Sequence, residues 1–511
     1  MSERFFITTP IFYVNGAPHI GHAYTTIATD ALARWQRLDG REVFFLTGTD
    51  EHGQKVAQAA AEAGLTPQEF TDRVSAQFRA MADAMGASYD DFIRTTEPRH
   101  YRSCTELWRR LQDAGEIYLG HYEGWYAVRD EAYYAEDEVT VQPDGTRLAP
   151  SGAPVEWVRE PSYFFRLSAW QDRLLEFYAA HPNAIGPESR RNEVIGFVRS
   201  GLKDLSVSRT TFDWGIPVPG APGHVMYVWL DALTNYITAC GFPDETGALW
   251  RFWPADLHIV GKDIIRFHCV YWHAFLMAAG IAPPTRVFAH GWWTVEGQKM
   301  SKSLGNALDP FELVATFGLD PLRYFLLRET SFGADGTISR AALIHRLNGD
   351  LANDLGNLAQ RTLSLIAHHC GGRLPARGTA LDDDAGMRAA AEGLPAFVRE
   401  RMHCQALGEA LEEVWRVVRA ANAYIDRQAP WALRRTDPPR MVAVLRVLVD
   451  CLRVIATVLQ PFMPGSMKRL LDQLGVPPES RKIRDLTAEV SAGTELPAPV
   501  GVFPRYLESV R

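Results

Sequence analysis

Pro18-His19-Ile20-Gly21-His22 follows the extended apolar run Phe5-Phe6-Ile7-Thr8-Thr9 and opens a segment whose spacing predicts a helix from Ala23 to about Gln36. Strand, tight glycine turn and helix N-terminus together present backbone N–H groups and a positive dipole end to phosphate. Two imidazoles on the same turn add donors for a phosphate whose charge rises during attack. Gly21 between them leaves out a side chain where a flat nucleobase would approach the backbone. The residues alone also admit a plainer reading, a histidine pair that caps the helix.

A second stretch, Lys299-Met300-Ser301-Lys302-Ser303, lies far downstream, after Trp292-Trp293-Thr294-Val295-Glu296-Gly297-Gln298, which reads as a hairpin, and before Leu304-Gly305-Asn306. Lysine is scarce in this chain: Lys55, Lys203, Lys262, Lys299, Lys302, Lys468 and Lys482 are all there are, and arginine supplies the rest of the positive charge. Two of them share this loop, and Lys262 stands in Gly261-Lys262-Asp263. A compact ammonium on a flexible stem suits a closing phosphate clamp, where a planar guanidinium would not substitute freely. Alone the stretch reads as a solvated basic loop; paired with the upstream histidines it reads as the mobile half of a phosphate site.

Composition bounds the rest. The 511 residues exceed one core and predict several domains. With 47% apolar and 22% charged residues the chain has ordinary soluble-globular usage. No apolar run is long enough to cross a bilayer, and no charged-then-apolar leader precedes the first strand, so no membrane partner and a cytoplasmic location are expected. A net charge of −8 excludes wholesale coating by nucleic acid but leaves room for a discrete basic face. The six cysteines, at positions 104, 240, 269, 370, 404 and 451, show no C-x-x-C spacing and read as buried thiols.

The two boxes resemble those of class I aminoacyl-tRNA synthetases, and the stretches around them are similar to the methionyl-tRNA synthetase family over essentially the whole chain. These are Thr9-Pro10-Ile11-Phe12-Tyr13-Val14-Asn15, Thr47-Gly48-Thr49-Asp50-Glu51-His52-Gly53, Tyr227-Val228-Trp229-Leu230-Asp231-Ala232, His258-Ile259-Val260-Gly261-Lys262-Asp263-Ile264, Asn357-Leu358-Ala359-Gln360-Arg361 and Gln428-Ala429-Pro430-Trp431. The resemblance implies an α/β, Rossmann-like catalytic domain with a connective insertion, followed by an all-α anticodon-binding bundle. The expected divisions are 1–115 (first catalytic half), 116–223 (insertion), 224–292 (second half), 293–350 (KMSKS loop and stem contact) and 351–511 (helical anticodon domain). Apolar spacing in Leu407 to Tyr424 and Met441 to Leu459 reads as bundle core. Many relatives carry zinc knuckles in the insertion; the stretch Glu123 to Val158 has no cysteine and no clustered histidine, so no zinc is expected. The chain ends soon after Phe503-Pro504-Arg505, without the dimerising module of some relatives, so a monomer is expected.

By the same resemblance the chain would activate L-methionine with ATP and Mg²⁺, then charge tRNA(Met), initiator and elongator alike. His19 and His22 would be catalytic with Lys299 and Lys302, and Gly21, Gly261, Asp263, Met300 and Ser301 would complete the ATP site. Ile11, Tyr13, Asp50, Trp229, Tyr236, Phe267 and His268 would bind methionine, Asp50 holding its ammonium with Arg209 as structural partner. Asn357, Arg361 and Trp431 would read the anticodon by hydrogen bonding and stacking. From the residues alone, Tyr13 and Trp229 read equally as core aromatics, His268 as a satisfied core histidine and Trp431 as a packing anchor after Pro430. The rival readings are a class I enzyme for another amino acid, a small nucleotidyltransferase and a non-catalytic tRNA-binding relative. Too little chain lies between the boxes for a large editing insertion, the helical C-terminal third is present, and so are all four signature residues.

Overall fold

The apolar runs that alternate with helical spacing build one parallel sheet. The computed structural model describes residues 3–130, 132–295, 298–299 and 308–507. Seven strands make the sheet: β1 (Arg4–Thr8), β2 (Phe12–Tyr13), β3 (Glu42–Asp50), β4 (Asp91–Arg94), β5 (Ile185–Gly186), β6 (Leu257–Gly261) and β7 (Val287–His290). Every pairing among them is parallel. The order runs β5-β7-β6-β1-β3-β4, and β2 continues along β3 beyond the break at Pro10, pairing Tyr13 with Asp50. From β1 the chain crosses to β3 on one side, while β6 and β7 extend the other. The order therefore reverses between β1 and β6, and the crevice beyond their carboxyl ends is where such sheets bind ligands.

Helix α1 (Ile20–Leu38) starts three residues before the predicted Ala23. His19 is its N-cap, so Ile20, Gly21 and His22 form the first turn rather than a linker ahead of it. The stretch 116–223 holds a long antiparallel ribbon, Ile117–Ala127 against Glu156–Phe165, and also donates β5 to the edge of the parallel sheet. Trp293–Val295 pairs antiparallel with Gln298–Lys299, the predicted hairpin, and parallel with Gly336–Ile338. The two stripes read as bundle core lie on the helices Leu407–Gln428 and Pro438–Leu459, their apolar faces buried. No helix among the described residues is long and apolar enough to cross a membrane.

One face of the sheet and the C-terminal helices share a continuous core, from Ile7 and Ile27 through Leu322 to Leu445. Arg323, fully buried, sits at their junction. Its guanidinium lies 2.7 Å from Asp30 Oδ2 on α1 and donates to the carbonyls of Met85 (3.0 Å), Pro461 (2.8 Å) and Phe462 (3.0 Å). Asp30 also accepts from Ser88 N and Oγ and from Arg34 Nε, each at 2.7 Å. Burial raises the Asp30 carboxyl, but Arg323 and Arg34 outweigh it and hold it below its usual value. Replacing Arg323 by Leu would take one of two cations from a buried carboxylate and leave three carbonyls without that donor, away from water. The expected cost is about 3–5 kcal/mol in denaturant unfolding, with the Asp30→Asn, Arg323→Leu pair losing less than the sum of the single changes.

Candidate functional site

The first turn of α1 is closed by its own two histidines. Gly21 N donates to His19 Nδ1 at 3.1 Å, and His19 N donates to His22 Nδ1 at 3.1 Å, a reciprocal cap with the rings 3.8 Å apart. The plainer reading of this pair, helix capping, is therefore what the structure contains, and it has a chemical consequence. An Nδ1 that accepts a backbone N–H carries no hydrogen, so the neutral ring carries it on Nε2. Both imidazoles are set as donors. Gly21 is required here for space, since a Cβ would lie 2.9 Å from His19 Cε1.

His19 and His22 border a cavity of about 940 Å³ at the sheet's reversal point, together with Gly21, Asp50, Gly261 and Asp263. Of the residues assigned to methionine, Ile11, Tyr13, Asp50, Trp229, Tyr236 and His268 line the same cavity. Phe267 stands behind it, stacked on Trp229 with ring centroids 3.9 Å apart and planes 9° from parallel. Trp229 and Tyr236 come from helix α3 (Val228–Ala239), and Asp50 ends β3. His268 Nδ1 donates to the Ile264 carbonyl at 3.0 Å, so Nε2 accepts from Tyr236 Oη at 2.7 Å. Burial pushes His268 down to about 4, against the backbone bond that raises it, so the ring is neutral near pH 7. His268 is thus both a satisfied core histidine and a wall of the cavity. Arg209 is buried, donating to Ser206 Oγ (2.8 Å) and the Ser208 carbonyl (2.7 Å), its guanidinium over the Tyr227 ring.

On the opposite rim Trp292 Nε1 donates to Asp263 Oδ1 at 3.2 Å, and Lys262 Nζ pairs with both Asp335 oxygens at 2.7 Å while lying over the Trp292 ring. Met300, Ser301 and Lys302 lie outside the described residues, as does the side chain of Lys299, whose backbone pairs with Thr294. The sequence reading missed several neighbours. His290 accepts from Thr25 Oγ1 at 2.8 Å through Nε2 and donates to the Gly291 carbonyl through Nδ1, tying α1 to β7. Lys55 Nζ donates to the Arg129 carbonyl at 3.1 Å and lies over Tyr13, bringing the ribbon's tip to the cavity. Scarcity of lysine was the one signal for Lys55; nothing local marks Arg129 or His290.

A second group forms in the C-terminal helices. Arg361, on α4 (Asn357–His369), lies over the Trp431 ring at 5.0 Å and pairs with Asp426 at 2.7 Å. Ala429 in a left-handed conformation (φ 42°) and Pro430 at the start of α5 (Pro430–Thr436) aim Trp431 outward, where it is 41% exposed. Asn357 is exposed one turn earlier on the face of Arg361.

Metal-type side chains gather once among the described residues, at His100, Cys104 and Asp231. His100 Nε2 and Asp231 Oδ1 are 2.7 Å apart, a hydrogen bond and closer than the roughly 3.4 Å that separates two ligands on tetrahedral zinc. Burial raises Asp231, but His52 and His100 hold it down to about 2.

A family model described as tRNA synthetases class I (M) matches residues 5–363, and one described as the anticodon binding domain of methionyl tRNA ligase matches residues 374–509. The methionine–tRNA ligase of Mesorhizobium japonicum is 57% identical over 508 residues, covering 99% of this chain and 98% of its own. That of Rickettsia bellii is 53% identical over 522 residues, covering 99% of this chain and 100% of its own. The structure of Mycobacterium tuberculosis methionyl-tRNA synthetase in complex with methionyl-adenylate superposes with a TM-score of 0.97 at 53% identity, covering 98% of this chain and 100% of that one.

The neutral histidines make stability depend on pH. His268 folds with a value of about 4 against 6.5 unfolded, and burial lowers His258, His273 and His290 as well. Between those values the unfolded chain binds protons that the folded chain does not, so stability is present above pH 6.5 and lost as pH falls through the window. His268→Gln should remove about 2 kcal/mol of the loss between pH 7 and pH 5, read as a flatter dependence of the urea midpoint on pH.

Proposed function

The chain belongs to the methionyl-tRNA synthetase family of class I aminoacyl-tRNA synthetases, and on that premise we propose that it is a methionine–tRNA ligase acting on L-methionine, Mg²⁺–ATP and tRNA(Met), initiator and elongator alike, as a cytoplasmic monomer. In the first step the methionine carboxylate attacks the α-phosphorus. Its oxygen lone pair forms the new O–P bond, the bond from the α-phosphorus to the bridging oxygen breaks, and pyrophosphate leaves with those electrons. The nucleophile is ionised at neutral pH, so no general base is needed, and catalysis is positioning plus stabilisation of growing phosphate charge. In the second step a hydroxyl oxygen of the tRNA's 3′-terminal ribose attacks the carbonyl carbon of methionyl-adenylate. The new ester bond forms, the bond from that carbon to the phosphate oxygen breaks, and AMP leaves with those electrons and takes up the hydroxyl proton.

The observation that carries this reading is the reciprocal cap of His19 and His22, which leaves the hydrogen of each neutral ring on Nε2 at the border of a cavity that Asp50, Tyr236 and His268 also line. The Nε2 hydrogens stabilise the phosphates from the α1 side; Lys299 and Lys302 close from the other, with Met300 and Ser301 spacing them. Gly261 and Asp263 accept the ribose end of ATP. Asp50, with Arg209 as structural partner, takes the substrate ammonium, while Ile11, Tyr13, Trp229, Tyr236 and His268, backed by Phe267, enclose the flexible thioether. Asn357, Arg361 and Trp431 form the anticodon-reading group, a cation and an exposed indole on which an unpaired base stacks. The catalytic part spans 1–115 and 224–292, with 116–223 as insertion, 293–350 as loop and stem contact, and 351–511 as the anticodon domain. No step calls for zinc.

The test is amino-acid-dependent ATP–pyrophosphate exchange by chelator-treated protein resupplied with Mg²⁺ alone. Exchange with methionine and with no other standard amino acid is expected; exchange with a different one would overturn the pocket assignment, and restoration only by zinc would overturn the zinc-free reading. Gly21→Ala, which pushes the His19 ring from its cap, should lower the exchange rate by about tenfold to a hundredfold while melting within a few degrees of the parent. An unchanged rate would remove the capped histidines from the mechanism.

A further inference from the structure

Two short segments meet behind the amino-acid end of the cavity. Asp50 ends β3 and His52 follows two residues on; Trp229 is the second residue of α3 and Asp231 follows two residues on. One hydrogen bond joins the two pairs, from His52 Nδ1 to Asp231 Oδ2 at 2.7 Å. The other Asp231 oxygen takes His100 Nε2 at 2.7 Å, from α2 (Pro98–Asp113), and His100 Nδ1 meets Thr238 Oγ1 at 3.1 Å. An ionised carboxylate only accepts, so both imidazoles donate. All three side chains are buried, and none of them lines the cavity.

His52 is itself fixed from two further sides. Its Nε2 meets Tyr101 Oη at 3.0 Å, and its ring lies edge-on to Trp214 at 5.3 Å. Trp214 Nε1 donates to the Glu51 carbonyl at 2.6 Å, and Gly53 N donates back to the Trp214 carbonyl at 3.1 Å, so the chain leaving β3 is clamped on both sides of His52. Glu51 turns the other way, to Arg94 at 2.7 Å and Thr96 at 2.6 Å. The segment after Asp50 is therefore held on several sides, and it is tied to α3 through Asp231.

We propose that Asp231, held between His52 and His100, is a positioning residue that sets the span between the ammonium-binding carboxylate of Asp50 and the aromatic wall of Trp229 and Tyr236. This rests on the function proposed above, because that span is the length of the bound amino acid from its ammonium to its side-chain end. The two arms have separate duties. The His52 arm reaches the Asp50 segment and controls the span; the His100 arm anchors α3 to α2, away from the cavity. A dry, charge-assisted contact suits this duty because a shift of about an ångström at a binding group is felt as a large loss.

The experiment compares His52→Gln, His100→Gln and Asp231→Asn by pyrophosphate exchange, with KM for methionine and for ATP measured separately and melting temperature alongside. His52→Gln and Asp231→Asn should raise KM for methionine by about tenfold and leave KM for ATP within about twofold. His100→Gln should lower the melting temperature without moving the ratio of the two KM values. Tyr101→Phe, which loosens the His52 ring without stranding a buried charge, should raise KM for methionine by about twofold to threefold in a fully folded protein. A melting-temperature loss in all variants with an unchanged KM ratio, Tyr101→Phe included, would overturn the positioning role. Absence of methionine exchange by the unsubstituted protein would instead overturn the function on which it rests, so the two failures are read in different samples.

Discussion

The buried pair of Arg323 and Asp30 is the contact on which the architecture turns. Asp30 belongs to α1, the helix whose first turn holds His19 and His22, and Arg323 reaches the carbonyls of Met85, Pro461 and Phe462 from the same guanidinium. One cation therefore fixes the helix that carries the histidine cap to the C-terminal bundle. Such a pair is a poor source of net stability, because desolvating two charges offsets most of their attraction. What it supplies is a single allowed geometry: any relative shift of helix and bundle breaks several charge-assisted bonds together in a dry core.

At the site the same economy recurs. His19 and His22 spend Nδ1 on the backbone of α1 and so are committed to donating through Nε2. Capping and the proposed phosphate binding are not competing accounts of these residues, since the cap assigns the tautomer that the proposed chemistry would use. His268 shows a similar coupling, its Nδ1 bond to Ile264 making Nε2 an acceptor for Tyr236. In both places a main-chain contact at Nδ1 fixes the tautomer of a ring that borders the cavity.

The family resemblance, not the residues alone, named the side chains of the cavity wall as one group, and it carried nothing of their arrangement. Ile11, Tyr13, Asp50, Trp229, Tyr236 and His268 line one cavity as expected, while Phe267 supports it from behind through Trp229. The start of α1 was placed late because Gly21 reads as a breaker in isolation, and only the cap geometry shows that it belongs to the first turn. That β5 leaves the insertion to join the parallel sheet had no signal, a two-residue strand being too short for periodicity. His52 and His100 were likewise illegible as a unit: their link to Asp231 spans 179 and 131 residues of sequence.

By itself the sequence determined the alternation of strands and helices, the glycine between two histidines, the scarce lysines on one loop and the absence of cysteine from the insertion. These are local properties, carried by residue type and spacing, and they suffice for fold class and family resemblance. Only the tertiary structure decided which nitrogen of each histidine is occupied, that Arg361 and Trp431 meet, and that Asp231 joins Asp50's segment to Trp229's helix. Hydrogen bonds and buried ion pairs depend on distances of a few tenths of an ångström between residues far apart in the chain. No pattern along the chain encodes such a distance until the core has packed.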